Sequence, residues 1–294
     1  MANSHPVAIV AGGASGIGLS VVEYLAESNW NVAIFDFDKT SGTRVAEKLK
    51  DRVIFIHGNA SLYDDQVKAF TESWAKWGRI DLVHANVGFG DRIDFGKPAN
   101  DLPSGAPSQP DILTIDVSLV ASIWSAYLAI HFFRKNASKG GKLVFTSSAA
   151  GLYPSPEMLL YSAAKHGVLG LTRGLAKRFE LTTEPITVNA ICPGLVPTPL
   201  ISPALKEAMP PDMVTPVSTV LRGFKSIVSD DSMTGQVIEC SGNEIFHRRA
   251  LPYANSVAEY LCGGKYKELV DPDEFAKHAA QRGARLKGMS GHSG

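Results

Sequence analysis

Short β-branched apolar runs alternate with stretches of helical apolar period along most of the chain. Pro6-Val-Ala-Ile-Val-Ala11 ends at Gly12-Gly13, and an unbroken apolar run of that kind predicts a strand buried on both faces. Gly16 to Ser28 then places apolar residues at helical spacing. The alternation repeats through strand Asn31–Asp36, helix Lys39–Lys50, strand Arg52–His57, helix Leu62–Trp77 and strand Arg79–Ala85. Val67, Phe70, Trp74 and Trp77 share one side of the third helix. Strands alternating with helices predict parallel strands joined by right-handed crossovers, in an open, doubly wound α/β sheet.

Gly90 to Pro110 breaks this rhythm; rich in Pro, Gly, Asp and Ser, it reads as a long loop. A helix over Asp111–Asn136 follows, then strand Gly141–Thr146, a helix carrying Tyr161, strand Pro185–Ile191 and a short strand Gly235–Glu239. That makes about seven strands with helices on both faces. Gly194–Pro216 holds six prolines and reads as a flap with one short helix. Val217–Ser229 returns to helical period. No boundary precedes residue 242, so residues 1–242 form one expected domain and 243–294 a C-terminal extension. Helical patches are expected at Ala254–Leu261 and Asp273–Ala280, with a disordered end from Gly288.

Composition narrows the class. The 294 residues are 45% hydrophobic and 20% charged, with formal net charge zero, as in an ordinary soluble globule. Charge balance argues against a nucleic-acid or anionic-membrane partner. No run reaches about 18 uninterrupted apolar residues, so no membrane span is expected. Cys192, Cys240 and Cys262 lack metal or redox spacing and leave an odd thiol, which fits a reducing, cytoplasmic setting. Met1 to His5 leaves no room for a signal peptide before the first strand.

The candidate chemistry gathers at strand ends. Tyr161 and Lys165 stand four apart on one helix face, where an ammonium favours phenolate and lowers a tyrosine pKa toward neutrality. Gly12-Gly-Ala-Ser15-Gly16-Ile17-Gly18 lies between the first strand and first helix, where helix N–H groups and dipole can hold a dinucleotide pyrophosphate. Its spacing is GxxxGxG rather than GxGxxG. Asp36 ends the second strand, where a carboxylate can accept both adenosine-ribose hydroxyls and would repel a 2′-phosphate. With neutral Ala14, Phe35 and Phe37 around it, NAD is favoured over NADP as cofactor. Asp36 or Asp38 could instead serve only as a helix cap. Asn86, Val87 and Gly88 end the fourth strand and suit adenosine packing, and Ser147-Ser148 ends the fifth. Pro193, Gly194, Val196 and Thr198 follow the sixth and can wrap a nicotinamide carboxamide.

GGASGIG, the Asp36 strand end, HANVG, Ser147-Ser148 with Tyr161-x-x-x-Lys165, and CPGLVPT occur in that order. Over residues 6–242 the chain resembles the short-chain dehydrogenase/reductase family, NAD(P)-dependent enzymes of Rossmann fold. The resemblance implies Tyr161 as acid/base, Lys165 as the group that lowers its pKa and binds nicotinamide ribose, and Ser148 as the orienter of the substrate oxygen. Ser147 is the alternative if the register is off by one. Ala11 replaces a usual threonine, and Asn59 a usual adenine-contacting aspartate. Asn59 can accept through its carbonyl, and Ala60 can contribute backbone. Ser118 replaces the asparagine whose carbonyl, at a helix kink, holds a water linking the lysine to solvent; the serine hydroxyl can bond back to its helix.

These features imply an NAD-dependent interconversion of secondary alcohol and ketone. Val87–Arg92, Gly151–Leu160 and the flap supply apolar contacts through Phe89, Phe95, Leu152, Tyr153, Pro154, Met158 and Met209. The expected substrate is a hydrophobic small molecule: steroid, prostanoid, terpenoid or polyketide. The alternatives are an NADPH-dependent ketoreductase and a dehydrogenase-fold protein with a binding or non-redox role. By resemblance the chain forms a homodimer or homotetramer through helices 111–136 and 158–182 and serves secondary metabolism.

Overall fold

The structure, a computed structural model, describes residues 5–264, 277, 278 and 280–282. β1 (Val7–Ala11), β2 (Asn31–Asp36) and β3 (Val53–His57) alternate with α1 (Gly16–Glu27), α2 (Lys39–Leu49) and α3 (Tyr63–Trp77). β4 (Leu82–Ala85), β5 (Gly141–Thr146), β6 (Ile186–Pro193) and β7 (Val237–Ser241) extend the sheet. Its order is β3-β2-β1-β4-β5-β6-β7, all parallel, with one further strand beyond β7. The chain reverses its direction of winding between β1 and β4, and such a switch opens a crevice at the carboxyl edge.

Burial on both faces explains the unbroken apolar runs. Ile9, Phe35, Val83, Phe145 and Val188 face one side, against Phe70 of α3 and partners on two long helices, α5 (Ala121–Lys135) and α6 (Leu159–Thr182). Val10, Ile34, Val144 and Ile191 face the other, against Val21, Val22 and Leu25 of α1 and Phe224 of α8 (Val217–Ser229). Alternate residues of each strand thus serve different helical layers.

Two elements differ from expectation. The 111–136 helix is interrupted: α4 (Leu113–Ile115) and a π-helical turn, Asp116–Val120, precede α5. The widened turn carries Ser118, wholly buried. By length and composition Leu113–Lys135 would suffice to cross a bilayer, but Ala126, Ala129 and Phe133 are buried in the core. The sheet also has an eighth strand, β8 (Glu244–His247), antiparallel to β7 across a tight turn at Gly242-Asn243. Gly242 has φ +54, the left-handed backbone that such a hairpin turn requires.

With β8 the sheet continues past residue 242, and the chain divides into two compact units, Met1–Arg249 and Ala250–Gly294. In the flap, α7 (Pro203–Ala208) is the expected short helix, capped by Ser202. In the second unit α9 (Ser256–Cys262) matches the first helical patch and is capped by Asn255. The expected Asp273–Ala280 patch falls mostly outside the described residues, and the end from Gly288 wholly so.

Candidate active site

The strand ends are level. Ala11 pairs with Phe35 and Ala85, Ala85 with Phe145, and Thr146 with Ile191. The segments that follow, Gly12–Gly18, Asn86–Gly88, Ser147-Ser148 and Pro193–Thr198, therefore leave the sheet along one edge.

The glycine turn is built for close approach. Gly12 has φ +71, and a Cβ on Gly18 would lie 2.0 Å from the Gly12 carbonyl oxygen. Asn86 Nδ2 donates to that carbonyl at 3.3 Å, and Asn86 N donates to Ala11 O at 3.2 Å. Ser15 stands at the N-cap of α1 without using its hydroxyl to cap, and the first turn, with Ile17, carries no acidic residue. Its N–H groups and the Ser15 hydroxyl form a donor set that fits a dinucleotide pyrophosphate. Thr198 lies over this turn, its Cγ2 2.9 Å from where a Cβ on Gly16 would stand. Val196 is buried in the α1/α8 core, so its side chain supports the flap. Gly194 N donates to Cys240 O at 2.8 Å, holding Pro193 and the start of the flap against β7.

Asp36 and Asp38 divide the two roles left open by sequence. Asp38 caps α2 by accepting from Ser41 N. Asp36 accepts from Ala14 N at 2.9 Å and Asp38 N at 3.0 Å, binding β2 to the glycine turn, and each oxygen retains a further acceptor position. Asn59 departs from expectation. Its carbonyl accepts from both the Ser61 N–H and hydroxyl, an Asx turn that occupies the acceptor meant for adenine. The Ala60 carbonyl takes the Gln66 amide.

Ser147 and Ser148 are told apart by their partners. Ser147 is buried and donates to the Lys165 carbonyl at 2.9 Å. Ser148 Oγ accepts from Ala150 N at 3.2 Å, and its hydroxyl lies near enough to Tyr161 to act on the phenol in the direction that lowers its pKa. Lys165 Nζ donates to Val87 O at 3.0 Å and Thr146 O at 2.9 Å, and lies 5.5 Å from the Tyr161 ring centroid. Gly88 sits beside both: a Cβ there would be 3.2 Å from Nζ and 3.8 Å from the tyrosine ring.

Burial pushes the Tyr161 hydroxyl above its ordinary value, against which the Ser148 hydroxyl works in the lowering direction. The expected lowering by Lys165 is not found: desolvation of the phenolate is the largest influence, and Ser148 is what acts against it. Burial also lowers Lys165 to about 8, bringing its titration close to physiological pH. Beneath the pair lies Cys192, whose thiol burial pushes up to about 12, keeping it neutral.

Ser118 corrects a second expectation. Its hydroxyl does not bond back into its own helix; it accepts from Phe89 N at 3.1 Å. Its carbonyl accepts from the Ser122 hydroxyl at 3.0 Å.

Three arrangements had no local sequence signal. Asp91 caps α6 by accepting from Leu160 N and Tyr161 N. His84 Nε2 is 2.8 Å from Thr146 Oγ1, which donates to Asn86 Oδ1, in a polar chain through the core. Glu239, nearly buried, accepts from the Tyr153 hydroxyl and Arg248. Only β8, which Arg248 follows, had a signal: the Gly242-Asn243 pair after the apolar run of β7.

A glycine turn at the switch point, a carboxylate with acceptor positions left open and a Ser–Tyr–Lys group on one sheet edge are the arrangement of a dinucleotide-dependent oxidoreductase site. The family profile of short chain dehydrogenases matches residues 6–208, and the chain belongs to that family. It is 32% identical to the short-chain dehydrogenase/reductase prx6 of Penicillium rubens, over 82% of this chain and 85% of the relative. It is 33% identical to ascJ of Acremonium egyptiacum, over 92% and 90%. The NAD(+)-dependent 15-hydroxyprostaglandin dehydrogenase of Bos taurus is 27% identical over 82% and 92%. The fold matches a Brucella melitensis 3-ketoacyl-(acyl-carrier-protein) reductase crystallised with NADH, at TM-score 0.66 and 22% identity, covering 81% of this chain and 97% of that one.

Proposed function

We propose that the protein interconverts a secondary alcohol and a ketone on a hydrophobic small molecule, with NAD as cofactor. The observation that carries this reading is Tyr161 set between the Ser148 hydroxyl and Lys165 at the edge that also bears Asp36. A bound nicotinamide ring supplies the hydride acceptor or donor. In oxidation Tyr161 takes the alcohol proton as the phenolate, and in reduction the phenol gives its proton to the forming alkoxide. Ser148 holds the substrate oxygen where charge develops. Lys165, bonded to two carbonyls, keeps its charge beside the phenol and reaches the nicotinamide ribose.

Asp36 favours NAD: each of its oxygens accepts one backbone N–H and can accept a ribose hydroxyl, while a 2′-phosphate would meet a carboxylate. The exposed Phe89, Tyr153 and Met158, on segments flanking Tyr161, favour an apolar substrate of steroid, prostanoid, terpenoid or polyketide type. Exposed Ile123 and Tyr127 on α5 and Leu181 on α6 support a homodimer or homotetramer through those helices. Free Cys192, Cys240 and Cys262 accord with a cytoplasmic location.

The test is incubation with NAD and a panel of hydrophobic secondary alcohols, following NADH absorbance and identifying products. Turnover that falls by about 1,000-fold or more in Tyr161→Phe supports the reading; undiminished turnover in that variant refutes it. Tighter binding of NADPH than NADH would overturn the cofactor choice. One observation favours a second reading, a binding or non-redox protein: the Ser118 carbonyl, at the usual relay position, already accepts from Ser122. Silence across the panel with intact NADH binding would select it.

A further inference from the structure

The reactive tyrosine stands third in a helix whose own sequence supplies no cap. α6 starts at Leu159, and its N-cap residue, Met158, has no side-chain acceptor. The first intrahelical bond is Ser162 N to Met158 O, at 2.9 Å. The N–H groups of Leu160 and Tyr161 therefore belong to the set that a helix leaves without internal partners. Met158 N turns back to Ser155 O in the preceding loop, which leaves Leu160 and Tyr161 for a remote group.

Asp91 meets both. Oδ2 accepts from Leu160 N at 2.9 Å and Oδ1 from Tyr161 N at 2.6 Å, so one carboxylate spans two successive donors from 70 positions upstream. An anion is favoured there by the helix dipole, and charge-assisted bonds of this kind are stronger than neutral ones.

Asp91 is itself held. Gly90 O accepts from Thr114 Oγ1 at 2.8 Å, and Phe89 N donates to Ser118 Oγ; both Thr114 and Ser118 are wholly buried. Two residues earlier, Val87 O takes Lys165 Nζ. The short segment from Val87 to Asp91 thus grips Lys165 at one end and the backbone of Tyr161 at the other. The π-helical turn anchors its middle.

We propose that Asp91 is a positioning residue for Tyr161, clamping the first turn of α6 so that the phenol keeps its place opposite Ser148. This rests on the dehydrogenase reading above. Without the carboxylate the first turn frays and the hydroxyl samples positions displaced from the substrate oxygen. A displacement of about 1 Å can cost up to about 100-fold in rate. The nucleotide groups, Gly12–Gly18 and Asp36, lie on other elements and keep their geometry.

The experiment compares the full-length wild type, Asp91→Ala, and Asp91→Ala combined with Met158→Asp or Met158→Ser. An N-cap side chain accepts from the second or third helical N–H, here Leu160 and Tyr161, so either second substitution supplies a local cap. Asp91→Ala should lower kcat by about 10- to 100-fold with NADH affinity, read by fluorescence, unchanged. At least one double variant should recover most of kcat, whatever the substitution of Met158 does to KM. Amide hydrogen exchange at the start of α6 should accelerate in Asp91→Ala and slow again with the local cap. Wild-type turnover in Asp91→Ala overturns the proposal, and so does a loss that neither local cap restores. Exchange needs no reaction: if it follows the cap while no alcohol is oxidised by the wild type, the dehydrogenase reading has failed and the clamp has not.

Discussion

Lys165 Nζ donates to the Thr146 carbonyl at 2.9 Å, so the buried ammonium of α6 is bound to the last residue of a central strand. Together with the bond to Val87 O, this fixes the lysine at the edge where β4 and β5 end. The arrangement keeps a cation in a wholly buried place at a cost in stability, and that cost titrates.

Burial lowers Lys165 to about 8 in the folded chain, against about 10.4 unfolded. Between these values the unfolded chain binds more protons, so this group makes stability rise with pH, by about 2–3 kcal/mol from pH 7 to pH 10. The buried Cys192 and Cys240 thiols, both pushed up to about 12, act in the opposite direction above pH 9. Lys165→Met removes only the first effect. Denaturation of the two proteins at several pH values should show the variant losing its relative advantage as pH rises. A constant difference would contradict the assignment.

His84 makes the acid counterpart. Burial lowers it to about 3, so it stays neutral in the fold while the unfolded chain protonates near 6.5. Its contribution is complete above about 6.5 and is lost as pH falls, by about 2 kcal/mol between pH 7 and pH 5. The Thr146 hydroxyl donates to Asn86, so it accepts from His84, placing the proton on Nε2. A His84→Gln variant can still reach Thr146 but does not titrate. Its Tm should fall less than that of the wild type over this pH interval; an equal fall would show that other groups are responsible.

Gly18→Ala forces a Cβ within 2.0 Å of backbone that cannot yield without moving the turn. NADH binding should weaken by at least about tenfold and Tm should drop by several degrees. Binding titration and thermal denaturation measure the two separately. Wild-type affinity in this variant would mean that the turn tolerates rearrangement and does not hold the pyrophosphate.

Arg248→Met leaves Glu239, nearly buried, without its cation and loosens Tyr153 on the segment between Ser148 and Tyr161. Tm should fall, and substrate KM should rise while NADH affinity holds. Tyr153→Phe, which preserves the Arg248–Glu239 pair, should reproduce the KM change with a smaller effect on Tm. No change of KM in either variant would confine this cluster to structure.

Local pattern located most strands because each is apolar on both faces, and it located the chemistry because the motifs follow strand ends. It could not divide the labour between neighbours. Asp36 and Asp38 are both carboxylates at a helix start, and only the position of Ala14 N, brought by another strand, separates tie from cap. Ser147 and Ser148 are separated in the same way, by the Lys165 carbonyl on α6. β8 was missed although Gly242-Asn243 is a hairpin signal, because the strand is short and mostly exposed and carries little apolar pattern.

The sequence by itself determined the doubly wound sheet, the glycine turn, and the Ser148–Tyr161–Lys165 spacing, because these depend on side-chain periodicity and on residues close in the chain. The tertiary structure decided what depends on burial and on contacts between distant segments. Desolvation reversed the expected direction at Tyr161, the widened turn at Ser118 sent its hydroxyl to Phe89, and Asp91 reached across 70 residues to cap α6. The physical reason is common to all three: dielectric environment and hydrogen-bond partners are properties of position in space, and no spacing along the chain encodes them.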